Sequence, residues 1–302
     1  MKTVWILPGG GARGAVQVGM IKKAVKTIGW PDCIIGTSVG SLNGSLAACK
    51  NILPLEKVWR SIESPKDIYG NRAYTDWLSK ALFFINSSFY HIKPLQKLLD
   101  EHLDLDKLVS SDIDFYACAW NANTNKSALF SKHGNIRAGI EASISIPMVF
   151  PETVINDEYY FDGGVRDNAP TKYIFKKDDY GKHVIGFKPD RVVIMLPGIL
   201  KNYSRVGEKF DKVPKIAVRA LDAIITEGQF NDVQMMLDRN QIPEYSSVET
   251  IVCQPIKDVI GTMDFYPDKI RRAIQVGEAS WIANTRIYNE DNNYRGGIFV
   301  SV

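Results

Sequence analysis

The sequence has few of the residues that would indicate a disulfide framework, a metal centre or a membrane span. Its 302 residues include four cysteines and four histidines, with no Cys-x-x-Cys pair. No apolar run reaches the ~18 residues that a membrane-spanning helix needs. The first apolar run ends at Pro8 and a glycine cluster, which does not fit a signal peptide. We therefore expect reduced core cysteines, no metal or other cofactor, and a cytoplasmic location.

The sequence also lacks a strong excess of charge of either sign. The formal net charge is +3, and no long Lys/Arg cluster occurs. This net charge is too small to predict a nucleic-acid partner, but it does not oppose peripheral contact with an anionic phospholipid membrane surface. Hydrophobic residues make up 45% of the chain, as in ordinary globular proteins. With no linker or repeat visible, we expect a single domain over residues 1–302, and the oligomeric state stays open.

One stretch near the N-terminus has the pattern of a nucleophile elbow. The apolar residues Ile34 and Ile35 predict a buried strand, which breaks at Gly36-Thr37-Ser38-Val39-Gly40 and is followed by a helical pattern through Cys49. Gly-x-Ser-x-Gly between a strand and a helix presents its serine at the tip of a sharp turn. Gly36 and Gly40 suit so tight a turn, and Gly40, Gly44 and Ala48 share one helix face. We predict Ser38 as an exposed nucleophile.

A second glycine-rich loop precedes the elbow. Val4–Leu7 predicts a central strand, and Gly9-Gly10-Gly11-Ala12-Arg13-Gly14 follows it. A dinucleotide site would need an acidic residue at the end of the next strand, whereas Asp32 lies at its start. Two neighbouring parallel strands would instead bring this loop opposite Ser38. The N–H groups of the loop could then form an oxyanion hole together with that of Val39.

The serine requires a base, because a free hydroxyl is a weak nucleophile. Asp162 is the leading candidate, since it ends the predicted strand Glu158–Phe161 and is followed by Gly163 and Gly164. The alternative is a Ser-Asp-His triad that uses His183, which follows Asp162 along the chain. His183 lies in a polar turn, so we favour the dyad. The other histidines lie in helical or turn segments: His91, His102 and His133.

Taken together, four motifs resemble those of the patatin-like phospholipases, in the same order and at similar spacing. They are Gly9–Gly14, Gly36–Gly40, the Ala-Ser-x-x-x-Pro stretch at 142–147, and Asp162-Gly163-Gly164. The resemblance covers about residues 4–170. It implies a three-layer α/β/α fold with a mostly parallel central sheet and lipid acyl hydrolysis by a Ser-Asp dyad. Residues 200–302 would add strands and helices that complete or cover the core.

The resemblance implies the following roles. Asp162 takes the proton from Ser38, which attacks the ester carbonyl of an acyl lipid, and water then hydrolyses the acyl-enzyme. The amides of Gly10, Gly11 and Val39 hold the oxyanion, and Arg13 braces or polarises the loop. Two alternatives stay open: an acyltransferase that uses the same acyl-enzyme, and a catalytically inert relative that binds lipid or a partner protein.

Four further predictions concern the helical segments. We expect one helix over 215–239, interrupted at Gly228, and a last helix over 267–288. We also predict two lipid-contacting segments from their aromatic and Met side chains and weak charge, residues 77–90 and 230–237. The first of them is alternatively a helix packed on the body of the protein.

Overall fold

The strands form one mixed sheet. The computed structural model describes residues 1–70, 88–200, 213–239, 241–283 and 285–288. The sheet order is β5-β6-β3-β2-β1-β7-β8-β9, and β4 pairs with β3. The strands are β1 Thr3–Leu7, β2 Cys33–Thr37, β3 Asp114–Asn121, β4 Lys126–Ser131, β5 Thr153–Ile155, β6 Glu158–Asp162, β7 Arg191–Met195, β8 Glu249–Cys253 and β9 Thr285–Tyr288.

Helices cover both faces of this sheet. They are α1 Gly14–Ile28, α2 Val39–Ala48, α3 Ile52–Arg60, α4 Lys66–Tyr69, α5 Lys93–His102, α6 Leu105–Ser110, α7 Ile136–Ile144, α8 Lys172–Phe175, α9 Val213–Arg239 and α10 Pro267–Ala283. Short 3-10 turns occupy Gly11–Arg13 and Gly163–Val165. None of the helices in the described ranges combines the length and apolarity that crossing a bilayer requires.

The central strands are parallel and buried on both faces. β1 lies between β2 and β7, and β3 and β8 continue the parallel order outward. Alternate residues face opposite sides: Trp5 and Leu7 pack into one core cluster, whereas Val4 and Ile6 pack into the other. Such double-sided burial explains why these strands are apolar runs without alternation. The predicted three-layer α/β/α fold with a mostly parallel sheet is confirmed.

Small residues let α2 lie directly on the sheet. A Cβ atom added to Gly40 would lie 1.9 Å from the Leu7 carbonyl oxygen, and one on Gly44 would lie 2.9 Å from the Ile34 side chain. The predicted packing face of α2 therefore rests on β1 and β2. This contact brings the first turn of α2 to the carboxyl end of β1, where the glycine-rich loop begins.

Helices α1 and α10 also cross at glycines. A Cβ atom on Gly277 would lie 1.9 Å from the Val16 carbonyl oxygen, and one on Gly19 would lie 2.1 Å from that of Ile274. Trp281 Nε1 donates a hydrogen bond of 2.8 Å to Thr27 Oγ1 beside this crossing. The backbones are therefore in direct contact, with no room for a side chain at either glycine.

The structure corrects several predictions for the second half of the chain. Helix α9 runs through Gly228 without a break, and a Cβ atom there would meet nothing within 4 Å. The last helix ends at Ala283, and Thr285–Tyr288 form strand β9, because the free edge of β8 offers antiparallel pairing. In segment 230–237, Val233 and Met236 are buried in the core and cannot contact lipid, whereas lipid contact by the rest of the segment stays a prediction. Of segment 77–90, residues 77–87 lie outside the described residues.

A methyl group should change the stability of the fold in opposite directions at a glycine packed against backbone and at a glycine in an open helix position. Gly277→Ala places a Cβ atom against backbone and should destabilise the protein by about 1–3 kcal/mol or more. Gly228→Ala is the matched control. It adds a methyl group to an open helix position and should stabilise by about 0.5–1 kcal/mol. Denaturant unfolding of both variants measures the difference, and equal shifts would contradict the described contacts.

Candidate active site

Ser38 lies in a strained turn that its neighbours hold in place. It connects β2 to α2 with φ 55 and ψ −131, a conformation that usually costs a non-glycine residue about 1–3 kcal/mol. Its N–H donates a hydrogen bond of 2.9 Å to Ser143 Oγ, and the Ser143 hydroxyl donates one of 2.7 Å to the Cys118 carbonyl. The turn needs its glycine, because a Cβ atom on Gly36 would lie 2.4 Å from the Gly40 carbonyl oxygen. Ser143 lies in the predicted 142–147 motif, but its part in holding Ser38 was not predicted.

The glycine-rich loop packs against Ser38 through Gly9. A Cβ atom on Gly9 would lie 2.6 Å from Ser38 Cβ and 2.7 Å from Asn168 Oδ1. The Gly9 N–H donates a hydrogen bond of 2.9 Å to Asn168 Oδ1, and Asn168 Nδ2 donates one of 3.0 Å to Gln229 Oε1. Asn168 is fully buried and fixes the loop from the side of α9. Asn168 was not predicted as a site residue.

Three backbone N–H groups near Ser38 have no hydrogen-bond acceptor within the described parts of the chain. They belong to Gly10, Gly11 and Val39. Val39 opens α2, where the first N–H groups of a helix have no intrahelical acceptor. Gly10 and Gly11 line the same cleft as Ser38. At the end of the loop, Gly14 begins α1, and a Cβ atom on it would lie 2.5 Å from the Val39 side chain.

Arg13 connects the glycine-rich loop to α9. Its Nη1 lies 3.6 Å from Asp222 Oδ1, and both side chains are 14% exposed. Its buried Nε finds no hydrogen-bond partner among the described residues. The guanidinium therefore adds positive charge to the wall of the cleft that Ser38 also lines.

Asp162 ends β6 beside Ser38 and is almost completely buried. It is 1% exposed, and its Oδ1 accepts a hydrogen bond of 2.7 Å from the Gly164 N–H. Its buried Oδ2 has no bond of acceptable hydrogen-bond geometry to any described residue. Burial raises the pKa of Asp162 to about 7, although the nearby Ser38 hydroxyl and the Gly164 N–H act to lower it. The carboxyl group is thus poised between its two protonation states near neutral pH.

Close packing leaves no room for a side chain at Gly163 and little room at Gly164. A Cβ atom on Gly163 would lie 2.5 Å from the Cys118 carbonyl oxygen, and one on Gly164 would lie 3.1 Å from Asp162 Oδ1. The chain can therefore turn under Thr37 without displacing the carboxyl group.

Two cavities of different character meet at Ser38. The first is a polar cleft of about 510 Å³ whose wall includes Arg13, Asp162, Asn168 and, from α9, Asp222. The second is an apolar cavity of about 580 Å³ enclosed largely by helices α2 to α5; its wall includes Leu42, Trp59, Tyr69, Leu95 and Phe265. Ser38, Gly11, Ile146 and Thr262 border both. A bound molecule with one apolar and one polar part would thus place their junction at Ser38.

All four histidines lie in the described ranges, and none of them lines either cavity. His183 Nδ1 instead contacts the Ile174 carbonyl oxygen at 3.2 Å. Within the described ranges, no group of three or more His, Cys, Asp or Glu residues has the arrangement of a metal site.

A family model described as patatin-like phospholipase matches residues 6–175. The chain belongs to the patatin-like phospholipase family. Among solved structures, the crystal structure of VipD from Legionella pneumophila is similar at 14% sequence identity, with a TM-score of 0.47. The alignment covers 95% of this chain and 68% of the VipD chain.

Membership of the patatin-like phospholipase family confirms the predicted resemblance and supports lipid hydrolysis as the general activity. The structure brings together Ser38, Asp162 and the glycine-rich loop, which are far apart in sequence. Their catalytic roles stay predictions. One expectation is wrong: Ser38 is not exposed, since only 6% of its surface is accessible. Gly9, Asn168 and the walls of the two cavities surround it.

The buried carboxyl group of Asp162 predicts a pH-dependent penalty on the stability of the fold. Because the pKa of Asp162 rises to about 7 on folding, the folded state increasingly loses stability as pH climbs from about 4 to about 7. Asp162→Asn removes this penalty, so the variant should be more stable than the wild type at ~pH 8, by on the order of a few kcal/mol. The difference should be much smaller at ~pH 5.

Thermal unfolding at both pH values measures this gain. Asp157→Asn serves as the control, because Asp157 lies exposed in the β5–β6 turn. An Asp162→Asn gain that is equal at both pH values would contradict the account of the carboxyl group.

Proposed function

We propose that this protein is a carboxylic ester hydrolase of phospholipase type, which cleaves acyl lipids through a Ser38 acyl-enzyme with Asp162 as base. The observation that carries the proposal is that Ser38 and the buried carboxyl group of Asp162 lie in the wall of one cleft, and that Asp162 Oδ2 has no hydrogen-bond partner among the described residues. Ser38 lies where an apolar cavity and a polar cleft meet, and Asp162 lines the polar cleft. An acyl ester has this same division into an apolar chain and a polar leaving group.

In the first half of the reaction, Asp162 Oδ2 takes the proton from the Ser38 hydroxyl as Oγ bonds to the ester carbonyl carbon. The carbonyl oxygen becomes an oxyanion, which is stabilised by the N–H groups of Gly10, Gly11 and Val39, none of which has an acceptor among the described residues. The C–O bond of the ester then breaks. The leaving alkoxide takes the proton from Asp162, and the acyl group stays on Ser38.

In the second half, water attacks the acyl carbon while Asp162 takes its proton. The tetrahedral intermediate collapses, the proton returns to Ser38 Oγ, and the fatty acid leaves. A base with a pKa near the working pH is effective at both stages. The burial that raises the pKa of Asp162 to about 7 therefore suits this carboxyl group to the role.

We assign the acyl chain to the apolar cavity and the leaving group to the polar cleft. The apolar cavity has aromatic and aliphatic walls from α2 to α5, including Leu42, Trp59 and Leu95. The polar cleft instead offers Arg13, Asp222 and amide side chains, which can hydrogen-bond to a headgroup or to water. Arg13 stabilises the glycine-rich loop, which borders both cavities, through its ion pair with Asp222.

Two further proposals concern the chain as a whole. We propose one domain over residues 1–302, since strands from Thr3 to Tyr288 belong to a single sheet. We also propose peripheral contact with a phospholipid surface. Helix α9 lines the polar cleft with Ile225 and exposes Ile216 and Ile224 to solvent, so the helix that borders the cleft also presents apolar side chains at the surface.

Single substitutions test the dyad. Ser38→Ala and Asp162→Asn should each lower kcat for a soluble acyl ester by at least ~10³-fold, because each removes a participant in the same proton transfer. His183→Ala is the matched control for a triad and should retain most of the activity. Ester hydrolysis and labelling of Ser38 by a fluorophosphonate measure the outcomes. Loss of activity in His183→Ala equal to that in Ser38→Ala would contradict the dyad, and an unlabelled, inactive wild type would favour the inert relative.

A chain-length series tests the assignment of the apolar cavity. With 4-nitrophenyl esters below their aggregation limit, kcat/KM should rise from acetate to longer acyl chains, because each buried CH₂ group contributes ~0.8 kcal/mol. Leu98→Asp places a charge in the wall of the cavity and should flatten this rise. A rise of equal slope in the variant and the wild type would show that the acyl chain binds elsewhere.

A further inference from the structure

We propose that Thr262 is a positioning residue for the glycine-rich loop at residues 9–14. Thr262 belongs to the 261–265 loop, which precedes α10. This inference rests on the proposed function of the same site. Thr262 lies outside residues 6–175, which the family model matches. It nonetheless borders both cavities at Ser38, in company with Gly11.

The main-chain contact between Thr262 and the glycine-rich loop is direct. The Ala12 N–H donates a hydrogen bond of 2.8 Å to the Thr262 carbonyl oxygen. Gly11 has φ +56, and a Cβ atom on it would lie 2.2 Å from that same oxygen. Thr262 therefore packs on the backbone of the residue that we assign to the oxyanion hole, and any shift of Thr262 would move the N–H groups of the loop.

The side chain of Thr262 fixes the position of its carbonyl group. Its hydroxyl donates a hydrogen bond of 2.9 Å to Asp222 Oδ1 on α9. The same carboxylate oxygen lies 3.6 Å from Arg13 Nη1. Asp222 thus contacts Arg13 in the glycine-rich loop and also Thr262, which packs against that loop. These connections join the loop and α9 into one polar network.

The rest of the 261–265 loop is anchored independently. Asp264 Oδ2 accepts hydrogen bonds from the Gly261 N–H at 3.1 Å and from Lys269 Nζ at 2.6 Å. Phe265 stacks on Trp59 with ring centroids 6.2 Å apart. Because its neighbours are fixed in this way, the 261–265 loop stays folded without the Thr262 hydroxyl. The hydroxyl instead sets the orientation of the Thr262 carbonyl group, which accepts the 2.8 Å hydrogen bond from the Ala12 N–H.

The test compares the kinetics of Thr262→Val with those of Thr262→Ser, using a soluble acyl ester. Valine keeps the shape but removes the hydroxyl, and we expect kcat to fall at least ~10-fold with KM within about twofold, because small displacements of an oxyanion donor act on the transition state. The rate of Ser38 labelling by a fluorophosphonate should fall in parallel. Thr262→Ser restores the hydroxyl and should restore most of both rates.

Thr171→Val is the matched control. The Thr171 hydroxyl donates a hydrogen bond of 2.7 Å to the Asp232 carbonyl on the same helix α9, and Thr171 is fully buried but lines neither cavity. It should lose stability without loss of kcat. If Thr262→Val does not fold, Asp222→Asn weakens the same acceptor and should show the same fall in kcat.

Two outcomes would overturn the assignment of Thr262. One is a Thr262→Val variant with wild-type kcat and labelling rate. The other is a fall in kcat that serine does not rescue and that tracks the fall in Tm in both Thr262→Val and Thr171→Val. Either result would leave the proposed function intact, provided that Ser38→Ala is inactive. An inactive, unlabelled wild type would instead overturn the proposed function itself.

Discussion

The site depends on a close contact between the backbone of Gly9 and the side chain of Ser38. β1 and β2 are parallel and in register, with Leu7 opposite Gly36, so the loop after one strand meets the elbow after the other. The contact is so close that a Cβ atom on Gly9 would lie 2.6 Å from Ser38 Cβ. Asn168 holds Gly9 from one side and Ser143 holds the Ser38 N–H from the other. Together these contacts keep a strained serine next to N–H donors that have no acceptor among the described residues.

The electrostatics of the site follow from this dense packing. Asp162 is buried with one oxygen hydrogen-bonded and the other without a described partner, which raises its pKa to about 7. A buried carboxyl group with one oxygen that has no hydrogen-bond partner among the described residues lowers the stability of the fold, and so does a strained turn. In the proposed mechanism, the same two features supply the base and present the nucleophile. The residues proposed to carry the chemistry therefore lower the free energy of unfolding of the protein.

Sequence reasoning predicted the parts of the site that local chemistry dictates. Glycines at 9–14, 36–40 and 163–164 mark turns that a side chain would block, and the strands before them were apolar enough to recognise. Ser143, Asn168 and Thr262 were missed as supporting residues, because each acts through a partner more than 100 positions away in the chain. The apolar cavity was also missed, since its walls come from several short amphipathic helices, and each alone is typical of ordinary packing. The break predicted at Gly228 was wrong because helix propensity is a weak preference that flanking contacts override.

The central claim is that Asp162 is the base for Ser38. The most direct test is the pH dependence of kcat/KM for a soluble acyl ester, which reports the ionisation of groups in the free enzyme. The account predicts activity that rises with pH through a single ionisation near pH 7, the pKa to which burial raises Asp162. The same ionisation should remain in His183→Ala. An ionisation near pH 4, as for a solvated carboxyl group, or one that disappears in His183→Ala, would contradict it.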